Sequence, residues 1–173
     1  MDNMEIWTNR VIMPEITVPA CRSFGDFVYT VSAGGAAIVR YLGRETVVHV
    51  PNAIDGVPVR TIADGAFAAN AHVREVVLPE GVTEIGSYAF FRAEKLEKVN
   101  VPGTVSRIGS CAFAHAPLRC TLYVPATVTE IGRDAFTDSV GLTLAGEAGS
   151  AINRYADEHG MIFRSRNGGS AVA

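Results

Sequence analysis

The side chains best able to bind a metal or attack a substrate are three cysteines and four histidines: Cys21, Cys111, Cys120, His49, His72, His115 and His159. Cys111, His115 and Cys120 form a C-x3-H-x4-C run. Zinc accepts both ligand types, but a structural zinc site takes four ligands, commonly in two clustered pairs. A second pair is missing here, so no metal and no cofactor are expected. The same residues could make a Cys–His nucleophile, which needs a cleft and a third group to orient the base. Asp134 and Asp138 sit four apart and could pair as carboxylates, but a solvated turn accounts for them better. Gly34-Gly35 lacks the strand–GxGxxG–helix context of a phosphate loop. An odd count of three cysteines does not suit a disulfide scaffold. Reduced thiols or, on an exported chain, one Cys111–Cys120 bridge both fit.

No catalytic constellation emerges, so the positioning elements matter more. The chain has 173 residues, 48% of them hydrophobic and 19% charged. That composition excludes a disordered polymer. The net charge of −3 argues against a nucleic-acid partner. No apolar run reaches the ~18 residues of a membrane span. Residues 1–7 carry neither the basic region nor the apolar core of a secretory signal, so localisation stays uncertain.

The dominant signal is a repeat. Phe67, Phe90, Phe113 and Phe136 are 23 residues apart, and so are Ile62, Ile85, Ile108 and Ile131. Val59, Val82, Val105 and Val128 keep the same step, as do Pro79, Pro102 and Pro125. An alanine precedes every phenylalanine of the column. Gly86, Gly109 and Gly132 follow three of the isoleucines, while Ala63 breaks that column. Pro51 lies 28 before Pro79, so the first unit holds five extra residues within 52–58.

One unit, residues 74–96, shows the logic. Val76 and Leu78 alternate with Glu75 and Val77, as in a short strand with one buried face. Pro79 ends the strand, because proline cannot donate to a ladder. Val82 and Ile85 point back inward, Gly86 permits a turn, and Ala89, Phe90 and Leu96 close the coil. No such unit buries its side chains alone; stacking does it, column on column. Leu96 predicts an apolar residue at 119, where Arg119 stands after Pro117-Leu118.

A stack needs capped ends. Residues 27–42 read as an N-terminal hairpin turning at Gly34-Gly35. At the other end, Leu142-Thr143-Leu144 is a shortened strand. A helix follows with Ser150 as N-cap and Gly160 as its stop. The organisation is an extended arm over 1–25, a hairpin cap over 26–46, and four repeats over 47–141. A strand–helix cap over 142–164 and a mobile tail over 165–173 complete it.

The pattern V-x-L-P-x-x-V-x-x-I-G-x-x-A-F at this step resembles the BspA-type (Treponema-type) leucine-rich repeat. Phe27-x-Tyr29, Tyr41-x-Gly43 and Pro51-x-x-Ile54-x-Gly56-x-Pro58-Val59 are similar to that family's first unit. Gly149-Ser150, Tyr155-Ala156, Gly160 and Phe163 are similar to its closing element. Ala93 and Ala116 depart from it, standing where many members carry an inward cysteine. The resemblance implies a mostly-β leucine-rich-repeat solenoid. A parallel sheet would form one face, turns and short strands or 3-10 segments the other, with a short C-terminal helix as cap. It further implies protein recognition without catalysis, often at the surface of host-associated microbes and sometimes as adhesins.

The alternation supplies the candidate binding strip on the sheet face. One outward column is His49, Val77, Asn100, Tyr123 and Thr143; its neighbour is Val47, Glu75, Lys98, Thr121 and Gly141. A solvated sheet face is the ordinary reading. The sharper one is a protein-binding strip anchored by Tyr123, His49 and Val77, since aromatic residues enrich at interfaces. Five strands span only about 20 Å, short of the ~800 Å² per partner of a standard interface. Two roles are therefore open: a non-enzymatic recognition module with a protein partner, or a structural protein that self-associates through residues 1–25.

Overall fold

The coils contribute two sets of strands: one stacks into two separate three-stranded sheets, the other into a single sheet. The computed structural model describes residues 20–166. Residues 1–19 of the expected arm and 167–173 of the expected tail lie outside the described residues.

The V-x-L-P segments form the first set. β4 (Val47–His49), β7 (Glu75–Val77) and β9 (Lys98–Val99) pair in parallel. So do β11 (Thr121–Tyr123), β13 (Thr143–Gly146) and β14 (Phe163–Ser165). The second set carries the isoleucine column: β6 (Val57–Ile62), β8 (Glu84–Ile85), β10 (Arg107–Ile108) and β12 (Glu130–Ile131). This sheet continues into the N-terminal end through β3 (Gly35–Tyr41), β2 (Phe27–Ser32) and β1 (Arg22–Phe24). The hairpin is thus an extension of the solenoid. β3 lies parallel to β6, and β2 antiparallel to β3.

The five extra residues of the first unit build a small hairpin. β5 (Ala53–Ile54) pairs antiparallel with β6 across Asp55-Gly56, both at positive φ (51° and 79°). Asp-Gly suits this turn because both central positions are left-handed. The turn also places Asp55 to accept a hydrogen bond from the Tyr29 hydroxyl at 2.5 Å.

The interior is a column of rings. Phe67, Phe90, Phe113 and Phe136 stack at centroid spacings of 5.1, 5.0 and 5.3 Å, with planes within 15°. These spacings lie within the roughly 4.5–7 Å range of favourable aromatic pairs. Tyr41 and Phe27 extend the column at one end. Tyr155 of α1 (Ala151–Glu158) closes the other edge-on, and its hydroxyl accepts from the Phe136 amide. Ser150 precedes α1 in extended backbone, yet its hydroxyl donates to the Glu147 carbonyl instead of capping the helix.

The glycine column reflects coil-to-coil approach. A Cβ on Gly86 would lie 2.7 Å from the Asp64 amide nitrogen. On Gly109 and Gly132 it would collide with the amides of Ser87 and Ser110. Ala63 is tolerated because the element beneath it is β3, whose Ile38 carbonyl accepts from the Ala63 amide.

Arg119 is exposed, whereas Leu118 is fully buried. The core contact expected at 119 is made one residue earlier, so Val73, Leu96, Leu118 and Leu142 form the closing column.

Two further columns hold left-handed backbone: Gly65, Tyr88, Cys111 and Asp134, then Ala69, Arg92, His115 and Asp138 (φ 50–69°). Seven of these eight carry a Cβ, at ~1–2 kcal/mol each. Ala69→Gly should stabilise the chain by about 0.5–1 kcal/mol after glycine's entropy in the unfolded state is subtracted. The urea midpoint would rise accordingly; a fall would mean that the turn is not strained.

Candidate functional site

The two outward columns form on the strand face, with one change of register. Tyr123 lies opposite Ala145, and Thr121 opposite Thr143. Thr143 therefore belongs to the column of Val47, Glu75, Lys98 and Thr121, and Ala145 completes the column of His49. Gly141 precedes β13 and joins neither column. The last unit lacks the proline that marks the phase in the others, so the alternation there was misplaced by two residues.

Several of the candidate side chains are already engaged within the chain. Lys98 Nζ pairs with Glu75 Oε1 at 2.6 Å, one coil apart. The hydrogen bond to that carboxylate holds the Lys98 pKa above its ordinary value. Asn100 substitutes for a backbone rung: Leu78 N donates to its Oδ1 at 2.7 Å, and its Nδ2 donates to Leu78 O at 2.9 Å. Arg166 lies over the Tyr123 ring, 4.8 Å from the centroid.

His49, Val77, Thr121 and Thr143 remain available. His49 edges a groove of about 210 Å³ that Phe24, Asp26, Phe27, Glu45 and Val47 also line.

The strand face is not continuous. β9 and β11 do not pair, so it falls into two three-stranded halves. Asn100 and the irregular 117–120 segment occupy this junction. Asn100→Ala should cost about 2 kcal/mol, because it leaves Leu78 N–H and C=O without their partner. Chemical denaturation would show it; an unchanged midpoint would mean that water replaces the amide.

Cys111, His115 and Cys120 do not converge. Cys111 and His115 hold turn positions, and Cys120 lies just before β11. His115 Nδ1 faces Asp138 Oδ2 at 3.4 Å, and its ring meets Phe91 edge-on. Burial pushes the Cys120 thiol up, against opposing pulls from the Val99 amide and Lys98. A raised thiol is the reverse of an activated nucleophile. All three cysteines are free. Among the described residues no three His, Cys, Asp or Glu side chains group as metal ligands. No helix among them is long and apolar enough to cross a membrane.

The sequence reading missed an aromatic group on the turn side. Tyr88 and Phe91 meet edge-on at 5.5 Å, with Arg92 5.3 Å from the Phe91 centroid. Two aromatic residues in otherwise variable columns were the available signal.

Residues 52–145 match, in six copies, a family described as a BspA type leucine rich repeat region. No curated protein matches the chain. Among solved structures, a leucine-rich repeat protein of T. pallidum is 28% identical. The match covers 73% of this chain and 70% of that one, with a TM-score of 0.61. One from Bacteroides capillosus is 25% identical over 74% of this chain and 99% of that one, TM-score 0.65. The pneumococcal vaccine antigen PcpA is 18% identical over 77% of this chain and 39% of that one, TM-score 0.61. At that identity the last likeness concerns the fold alone.

Proposed function

Because this chain belongs to the BspA-type leucine-rich repeat family, we propose that it is a non-enzymatic protein-recognition module of the adhesin-like or surface-interaction kind. The observation that carries this reading is the strand face with its two side-by-side outward columns. Paired strands fix the backbone that carries His49, Val77, Thr121 and Thr143, and preorganisation lowers the cost of binding. The groove beside His49 adds two phenylalanines to one end of the strip. Tyr123 and Arg166 form a second anchor of the type enriched at interface hot spots.

The test has two arms. Protease shaving of intact cells of the native organism asks whether the face is displayed outside. Affinity capture from the exposed side, repeated with His49→Ala and Tyr123→Ala, asks whether the strip binds. A partner lost on both substitutions supports the proposal. Protection of the protein inside the cell ends the surface reading.

One observation favours a second reading, self-association. β1 is exposed along its length, with Phe24 45% exposed. Its outer edge is unpaired among the described residues. Such an edge can template pairing with another chain. Sedimentation velocity of the full chain and of a chain lacking residues 1–25 would test it. Equal, concentration-independent sedimentation of both would exclude it.

A further inference from the structure

The isoleucine sheet ends at β12: α1 packs against this end of the stack, but no further strand pairs with β12 among the described residues. Ile85 and Ile108 are fully buried, whereas Ile131 is only half-buried. Gly86 and Gly109 are buried, and Gly132 is half-buried.

Hydrogen bonds run along the stack in two rows. Thr83, Ser106 and Thr129 donate their amides to the carbonyls of Arg60, Thr83 and Ser106. Gly86, Gly109 and Gly132 donate theirs to Ile62, Ile85 and Ile108. The next acceptors are the carbonyls of Thr129 and Ile131, which accept nothing from the described residues. A groove of about 370 Å³, lined by residues 107–110 and 129–132, lies beside them.

Four side-chain rows, at the positions of Ser106, Arg107, Ile108 and Gly109, define what fits. In the first row Thr83 and Ser106 each also send their hydroxyl to the carbonyl one coil back. In the second, charge alternates: Arg107 pairs with Glu84 at 2.9 Å and Glu130 at 3.6 Å. Glu130 then faces outward with its side chain 73% exposed, complementary to a cation. The third row is isoleucine and presents Ile131 to an aliphatic residue. The fourth admits glycine alone wherever coil packs on coil.

We propose that the β12 edge is a docking site for an extended segment of a partner protein. The segment lies parallel to β12 and reads hydroxyl, cation, aliphatic, glycine. Strand addition supplies main-chain hydrogen bonds, and the rows supply selectivity. This site lies on the isoleucine sheet, away from the strip proposed above, and is independent of it. Residues 170–173 of this chain, Ser-Ala-Val-Ala, offer the hydroxyl and the aliphatic but neither the cation nor the glycine.

The test titrates the isotope-labelled full chain with a capped peptide of sequence Thr-Val-Ser-Arg-Ile-Gly-Ser, followed by amide NMR. Saturable shifts confined to residues 107–110 and 129–132 are expected. A peptide with Glu for Arg should bind at least about tenfold more weakly, the equivalent of ~1.4 kcal/mol. Glu130→Arg should invert that preference, and the exposed position leaves the core untouched. A peptide with Val for Gly should not bind.

Shifts scattered over the surface, or indifference to the Glu130 charge, would overturn the proposal. So would binding that appears only after residues 167–173 are removed, because the edge would then belong to this chain's own end.

Discussion

Gly109→Ala should abolish cooperative folding of the solenoid or lower its stability by about 4 kcal/mol. Overpacking a core typically costs about 1–3 kcal/mol because side chains can yield. Here the added methyl meets the Ser87 amide and lies 2.6 Å from the Gly86 carbonyl carbon, so backbone faces backbone. Relief requires the coils to part, which strains the 2.7 Å bond from Gly109 N to Ile85 O. Each lost rung adds about 1 kcal/mol. Ala63→Gly is the control. Its position lies in the same column above β3, and the change should cost no more than about 1 kcal/mol, through unfolded-state entropy. Thermal melts of the two variants decide the matter. Equal losses would mean that the column reflects turn geometry and not coil spacing.

Phe113→Ala is expected to cost about 3–5 kcal/mol. Phe113 is fully buried, with rings at 5.0 and 5.3 Å on its two faces. Against a usual total of about 5–15 kcal/mol, that is a large share. The loss should also change the shape of unfolding. In a repeat protein each coil is held chiefly by its neighbours, so a central gap weakens the coupling of the two halves. A broadened or two-step urea transition is expected, read by Trp-independent far-ultraviolet dichroism. A single sharp transition displaced in midpoint would show that the strand contacts alone keep the halves together.

The repeat was legible because every coil states its rule again. Phe67 to Phe136 identify the spine, and Ile62 to Ile131 identify a strand set, without any knowledge of long-range contacts. What escaped were features that occur once. Leu118 takes the core place expected at 119 because the 117–120 segment is irregular, and one example carries no period. Asn100 fills an outward position of the alternation, yet its amide closes a backbone rung that no pattern announces. The register of β13 was misplaced where the proline marker ends. Contacts from Arg166 to Tyr123 and from Tyr29 to Asp55 join residues whose separation matches no repeat. The candidate strip was therefore readable as two columns, while its division into engaged and free side chains was not.

The direction of the rungs has a mechanical consequence. Bonds from each coil to its predecessor run along the solenoid axis, as from Gly86 to Ile62 and from Gly109 to Ile85. A pull along that axis loads them in tension one coil after another, and never as a set in shear. The chain should then yield by peeling, each 23-residue step between Ile85 and Ile108 releasing about 80 Å of contour. A tethered copy of this protein would lengthen under modest force as a ratchet of small, equal extensions, limiting the tension passed to whatever it holds.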